Sequence, residues 1–338
     1  MTDPAAAESP GDDPASSAGE SDSGVLEARG LRRRFDEVQA VDGMSLQVRA
    51  GELYGLVGPD GAGKTTTIRL LAGLMDPDEG DALVLGQSTR EAAVALREAI
   101  GYMPQQYSLY GDLSVDENLR FFGRLFGLPR QDYEARRKRL LHITRLERFG
   151  DRRADALSGG MYKKLALACA LLHQPRALIL DEPTNGVDPV SRRELWDLLY
   201  EFVADGMAVL LATPYMDEAE RCHRVGLIHR GALLTEGRPR DLAQQATQRT
   251  YVLGSDRRSE LEATLDRRPE VLSLTPHGAS VRVVVDGGGA ELFTAWAEGL
   301  DLVQTMDAVR PDFEDVFLGL LATEQQAAER SGAEGPSA

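Results

Sequence analysis

The chain has 338 residues, more than one typical domain, and 42% of them are hydrophobic, enough for a sizeable core. Its formal charge of −16 excludes a general electrostatic grip on phosphate backbones, so no nucleic acid partner is expected. No apolar run approaches the roughly 18 residues of a membrane helix. The N-terminus lacks the basic stretch and apolar core of a secretory signal, and Cys169 and Cys222 fit neither a disulfide framework nor a zinc spacing. The default expectation is a cytoplasmic chain, soluble or peripheral.

Residues 1–23 carry Asp3, Glu8, Asp12, Asp13, Glu20 and Asp22 among Ala, Ser, Pro and Gly, with no Lys or Arg, and are expected to be a disordered acidic tail. From 24 to 240, short apolar runs alternate with amphipathic stretches, the pattern of helices covering a largely parallel sheet. Leu53 to Val57 reads as a strand and Thr67 to Leu74 as a helix. Between them stand Gly58, Pro59, Asp60, Gly61, Ala62, Gly63, Lys64, Thr65 and Thr66, a GxxxxGK[ST] phosphate loop in its required strand-loop-helix context. Glycines let backbone N–H groups wrap an anion and the helix N-terminus adds its positive end. Lys64 is expected to reach the outer phosphates, the Thr65 hydroxyl to ligate Mg2+, and Thr66 to add a phosphate contact.

Residues 106–156 are rich in amphipathic helix pattern. Arg136-Arg137-Lys138-Arg139 within them reads as a solvated helix face rather than a nucleic-acid site. Ala177 to Leu180 is a continuous apolar run that ends at Asp181-Glu182, putting two carboxylates at a strand's carboxyl end beside the phosphates. Asp181 is expected to hold magnesium, directly or through water, and Glu182 to orient and deprotonate the attacking water. After Gly237-Arg238-Pro239 a second domain is expected over 241–322, with strand-like Tyr251–Leu253, 271–274, 281–285 and 302–306 and helix-like 255–268 and 290–298. Its βαββαβ order is ferredoxin-like. Residues 323–338 are expected to be a second disordered tail.

Leu157-Ser158-Gly159-Gly160 opens a helix, Met161 to Leu172, that stops at Gln174-Pro175 just ahead of the carboxylate strand. Here the chain resembles the ATP-binding cassette (ABC) transporter family, over residues 25 to about 240. The resemblance implies an α/β P-loop NTPase cassette, a RecA-like core plus antiparallel β and helical subdomains, here followed by the small α+β ferredoxin-like domain. It also implies a head-to-tail dimer in which Ser158 and the Gly159 and Gly160 amides of one chain cap the γ-phosphate held by the other, assisted by the helix dipole. Position by position, it makes Phe35 the aromatic stacked on adenine and Gln105 the glutamine that senses magnesium and the membrane partner. Asn185, Gly186, Val187 and Asp188 become the loop crossing the dimer interface, and 106–156 the helical subdomain that receives a permease's coupling helix.

The sequence departs from the family at three places. Pro214, in Thr213-Pro214-Tyr215-Met216-Asp217-Glu218-Ala219, stands where a γ-phosphate histidine is usual, and its side chain neither donates nor accepts. Met161 replaces the signature glutamine, and Asp60 replaces the usual asparagine. His223 and His229 are out of register and read as ordinary. The segment Arg310-Pro311-Asp312-Phe313-Glu314-Asp315-Val316-Phe317-Leu318 resembles the Pro-x-Leu-Glu-Asp-x-Phe element of drug-exporter subunits whose permease is a separate chain, and Tyr107 to Val115 also favours export. The resemblance therefore implies a peripheral ATPase on the cytoplasmic face of the membrane. Its partners would be permease subunits, a second ABC subunit in a homodimer or heterodimer, and a periplasmic adaptor in some systems. Two alternatives stand beside it: a poorly hydrolysing regulatory half of a heterodimer, motivated by Pro214, and a soluble ABC ATPase acting on ribosomes or DNA. The latter usually carries two cassettes in one chain or a long coiled-coil insertion, and neither is present.

Overall fold

The computed structural model describes residues 24–106 and 109–333. The expected acidic tail at 1–23, Tyr107 and Ser108 of the export-type segment, and residues 334–338 lie outside the described residues. The chain begins with β1 (Leu26–Phe35), β2 (Val38–Val48), β3 (Leu53–Val57), α1 (Lys64–Leu71), β4 (Glu79–Val84), β5 (Gln87–Ser88), α2 (Thr89–Leu96) and β6 (Ile100–Met103). A helical stretch follows, α3 (Val115–Leu125), α4 (Arg130–Thr144) and α5 (Gly159–Leu171), then β7 (Ala177–Asp181), α6 (Pro189–Ala204), β8 (Ala208–Thr213), α7 (Met216–Ala219), β9 (Arg224–His229), β10 (Ala232–Gly237) and α8 (Pro239–Gln244). The last part is β11 (Arg249–Gly254), α9 (Arg258–Leu265), β12 (Val271–His277), β13 (Ser280–Val285), α10 (Ala290–Glu298), β14 (Thr305–Val309) and α11 (Phe313–Ala333).

A six-stranded sheet in the order β10-β9-β3-β8-β7-β6 forms the centre, parallel except for β10. Its inner strands are covered on both faces, which is why they are continuous apolar runs. Leu178 and Leu180 of β7, with Val209 and Leu211 of β8, point into a core shared with α5 and α6 (Leu165, Leu167, Trp196, Leu199). The alternate residues Ala177, Ile179, Ala208 and Leu210 face a second core with Ile68 of α1 and with Leu26 and Val41 of a separate antiparallel sheet, β2-β1-β4-β5. Period-two alternation thus divides each strand between two layers. Local signals set the helix starts: Ser114 and Glu117 form a reciprocal capping box on α3, and Asp188 caps α6 ahead of Pro189.

In the basic run on α4, Lys138 and Arg139 are exposed as a solvated face requires, while Arg136 and Arg137 are half-buried. Arg136 donates to Leu172 O at 3.2 Å, Arg137 pairs with Asp116 and Arg139 with Asp205 at 2.9 Å. His223 serves the fold: its Nδ1 accepts the Leu53 N–H at 3.0 Å where β3 begins.

The C-terminal sheet has the order β12-β13-β11-β14, all antiparallel, with α9 and α10 packed through Leu261, Leu265, Phe293 and Ala297: the ferredoxin-like arrangement. Two expected extents change. The last strand is Thr305–Val309 instead of 302–306, since its register is set by pairing with β11, Leu253 opposite Met306. Helix α11 continues to Ala333, so 323–333 is helical instead of irregular. Phe313 and Phe317 of α11 enter the large core under α5 and α6, while its Asp315 accepts from Arg282 Nε of β13 at 2.9 Å and from Thr250 Oγ1 of β11 at 3.1 Å. No helix among the described residues is long and apolar enough to cross a membrane.

Candidate nucleotide site

Strand β3 is buried at every residue and delivers its end to the loop 58–63. Gly61 and Gly63 adopt φ of 78° and 103°, the left-handed region that favours glycine, and a Cβ on Gly63 would collide with the Ala40 carbonyl. Gly63 is the N-cap of α1, so the first-turn amides of Lys64, Thr65 and Thr66 face the loop without intrahelical partners. Lys64 is buried and its Nζ donates to Gly58 O at 2.8 Å and Pro59 O at 2.9 Å, which leaves one of its three donors for a ligand. Burial lowers its pKa, opposed by Glu182, Asp60 and Asp181, so the acids around it help to keep it charged. The Asp60 side chain is exposed at the loop tip.

At the end of β7, Asp181 is only 1% exposed, and neither carboxylate oxygen has a hydrogen-bond partner among the described residues. Burial pushes its carboxyl above the usual range; the Thr65 hydroxyl, near enough to interact with the carboxylate though outside hydrogen-bond geometry with either oxygen, pulls it back, Glu182 raises it further, and Arg69 and Lys64 lower it. Glu182 is also buried, and its Oε2 accepts from Gln105 Nε2 at 2.9 Å and Asn185 Nδ2 at 3.2 Å. Its backbone has φ 48°, a strained conformation for a residue with a side chain. Gln105, Asp181, Glu182 and the phosphate loop, far apart in sequence, thus meet at the carboxyl ends of β3, β6 and β7.

The turn Leu157 to Gly160 opens α5. Ser158 Oγ accepts the Met161 N–H at 3.4 Å as N-cap, Ser158 and Gly159 are exposed, and Gly160 is pressed so closely on Ser191 that no side chain fits. Among the described residues no hydrogen bond joins this turn to the phosphate loop of the same chain. Asn185, Gly186 and Asp188 are exposed and Val187 half-buried; Gly186 has φ 70°. Asp188 accepts from Val190 N at 3.1 Å and Ser191 N at 3.0 Å, and the Ser191 backbone bond is the main reason its carboxyl sits below the usual range. Phe35 ends β1, 41% exposed, with the Arg33 guanidinium 5.0 Å from its ring centre, and Pro214 follows β8, where Tyr215 N donates to Thr213 Oγ1 at 3.1 Å.

Buried groups behind the acids do not stand out in the sequence. Glu218, 0% exposed, accepts from the hydroxyls of Thr184 and, at 2.7 Å, Thr213. Lys163 on α5 donates to the carbonyls of Glu182, at 3.3 Å, and Asn185. Burial pulls Lys163 down to about 8, opposed by Glu218 and Glu182. The signal that could have found them is two ionisable residues inside otherwise apolar or signature segments, Lys163 after Gly160 and Glu218 before Ala219.

The family model described as ABC transporter matches residues 41–185. The probable multidrug ABC transporter ATP-binding protein YbhF of Escherichia coli is 41% identical over 302 residues, 88% of this chain and 52% of that protein; the chain spans about half that relative's length. The Nod factor export ATP-binding protein I of Ralstonia nicotianae is 37% identical over 317 residues, 89% of this chain and 95% of that protein. Among solved structures, cbiO1 of Clostridium perfringens, described as part of the ABC transporter complex cbiONQ, superposes with a TM-score of 0.61 at 28% identity, covering 66% of this chain and 92% of the other. On the strength of the Ralstonia nicotianae relative, matched over nearly its whole length, the chain belongs to the family of ABC transporter ATP-binding proteins.

Proposed function

We propose that the chain binds and hydrolyses ATP as the nucleotide-binding subunit of an exporter, driving efflux of drugs or other small molecules through a separate membrane permease. The observation that carries the ATPase reading is Asp181: a buried carboxylate with two unpartnered oxygens, beside Thr65 and Lys64, is a group that a divalent cation would satisfy. Thr65, Asp181 and Gln105 would hold Mg2+, which when bound neutralises charge developing on the phosphates. Lys64 and the backbone amides of Gly61, Gly63, Lys64, Thr65 and Thr66 hold and orient the phosphates, and Phe35 stacks on adenine. Glu182, aimed by Gln105 and Asn185, positions a water and accepts its proton. The Leu157 to Gly160 turn, exposed at Ser158 and Gly159, and the Asn185 to Asp188 loop serve a second subunit, Ser158 and the glycine amides capping the γ-phosphate of the facing site.

Export is supported by the relatives' printed names, which speak of multidrug transport and Nod factor export, and by the Pro311 to Phe317 element; a peripheral place on the cytoplasmic face of the membrane, permease subunits and, in some systems, a periplasmic adaptor are what the family resemblance adds to that reading. In the assay, purified chain with Mg2+ hydrolyses ATP. Glu182→Gln, which retains an oxygen to accept both amides, loses turnover by about 100-fold or more while still binding nucleotide; turnover equal to wild type would refute the assignment. Recovery of the chain with membranes only when its permease is present tests the export half. A second reading, a slowly hydrolysing half of a heterodimer, is favoured by Pro214 alone: there Pro214→His raises turnover, whereas an active homodimer gains nothing from it.

A further inference from the structure

Two buried charged side chains outside the phosphate loop grip the segment that carries Glu182. From one side Lys163, 8% exposed on the second turn of α5, donates to the carbonyls of Glu182 and Asn185. From the other side Glu218 holds the Thr184 hydroxyl through one oxygen and Thr213 at the end of β8 through the other, with Arg192 Nε 4.0 Å away. The gripped residues, 182 to 185, are the ones that leave β7 through the left-handed backbone at Glu182, a conformation that persists only when its surroundings over-determine it.

We propose that Lys163 is a positioning residue for hydrolysis: by holding the Glu182 and Asn185 carbonyls it keeps the strained turn in place and so aims the Glu182 carboxylate, without touching nucleotide. This rests on the ATPase reading above. The geometry makes two demands that are separable. The phosphate loop is carried by β3 and α1, whereas Lys163 holds the carbonyls of Glu182 and Asn185 beyond the end of β7, so nucleotide affinity is expected to change little when Lys163 is replaced. The carboxylate does depend on it, since a misplacement of about 1 Å at a reacting group costs on the order of 100-fold in rate. Lys163 also shares α5 with the exposed Ser158 cap. A displacement of that helix is therefore transmitted directly to the Glu182 backbone.

The test compares wild type, Lys163→Met and Lys163→Arg as full-length chains, measuring affinity for a fluorescent ATP analogue with Mg2+, steady-state kcat and KM for ATP, and melting temperature. Lys163→Met keeps nucleotide affinity within about twofold and lowers kcat by about ten- to a hundredfold, and Lys163→Arg, which retains donors for both carbonyls, recovers most of that kcat. Three results overturn the proposal: wild-type kcat in Lys163→Met, loss of affinity in step with kcat, or no recovery in Lys163→Arg at an unchanged melting temperature. A wild-type chain that neither binds nor hydrolyses ATP overturns the ATPase reading itself, an outcome distinct from an active wild type indifferent to Lys163.

Discussion

Asp181→Asn is predicted to stabilise the metal-free protein while abolishing its response to magnesium nucleotide. The wild-type carboxylate is 1% exposed, has no hydrogen bond to either oxygen among the described residues, and lies beside the carboxylate of Glu182. Burial raises its pKa above the unfolded value, so the folded state binds the proton more tightly. Its contribution to stability is complete below the unfolded pKa and lost as pH rises through the folded one, leaving an unfavourable buried charge at pH 7. A neutral amide of the same shape removes that charge. An unpartnered buried group costs about 1–3 kcal/mol, and part of this remains with the amide, so a gain of about 1–2 kcal/mol is expected. For a cassette-sized domain that is a rise of about 2–8 °C in melting temperature. The gain shrinks as the pH falls through the raised folded-state pKa and the wild-type acid takes up its proton. With Mg2+ and ATP at about 100 times Kd the wild type gains about 2.7 kcal/mol, the variant loses the magnesium-dependent part, and the order of stability reverses. Calorimetric melts in EDTA and in magnesium-ATP, at pH 5 and 7, read all four quantities. A variant that melts below wild type in EDTA, or keeps its magnesium-dependent rise, would refute the reasoning.

Further substitutions test the packing around this site and the C-terminal unit. Gly63→Ala should cost more than about 3 kcal/mol and eliminate nucleotide binding, because its Cβ meets the Ala40 carbonyl; Gly61→Ala, with open space around it and only its positive φ to oppose, should cost about 1–2 kcal/mol, and equal losses in chemical denaturation would contradict this. Arg282→Met strands Asp315, 3% exposed at its side chain, and should destabilise by about 3 kcal/mol; adding Asp315→Leu should recover part of that, and a double-mutant cycle with no coupling would show that the pair does not tie α11 to the sheet.

The parts of the site legible in the sequence are those whose chemistry is contiguous. The loop 58–66 announces itself because strand, glycines, lysine and helix follow one another, and Asp181-Glu182 because an apolar run ends there. The βαββαβ order of the last unit is equally plain from alternating short segments. What is not legible depends on residues brought together only by the fold. Glu218 meets Thr184 across 34 positions, and Lys163 meets the Glu182 carbonyl across 19. His223 is 170 positions from its partner Leu53, so it looks ordinary in sequence. Helix α11 outruns its expected end because the Ala- and Gln-rich composition of 323–333 is compatible with helix once Phe313 and Phe317 anchor its start.

The most direct measurement is equilibrium binding of a fluorescent ATP analogue, with Mg2+, to the wild-type chain and to Lys64→Ala. Saturable binding by wild type, weakened about 10- to 100-fold when the charge-assisted phosphate bonds of Lys64 are removed, is the predicted result. Binding of equal strength in both proteins, or none in either, would contradict a nucleotide site built from this loop.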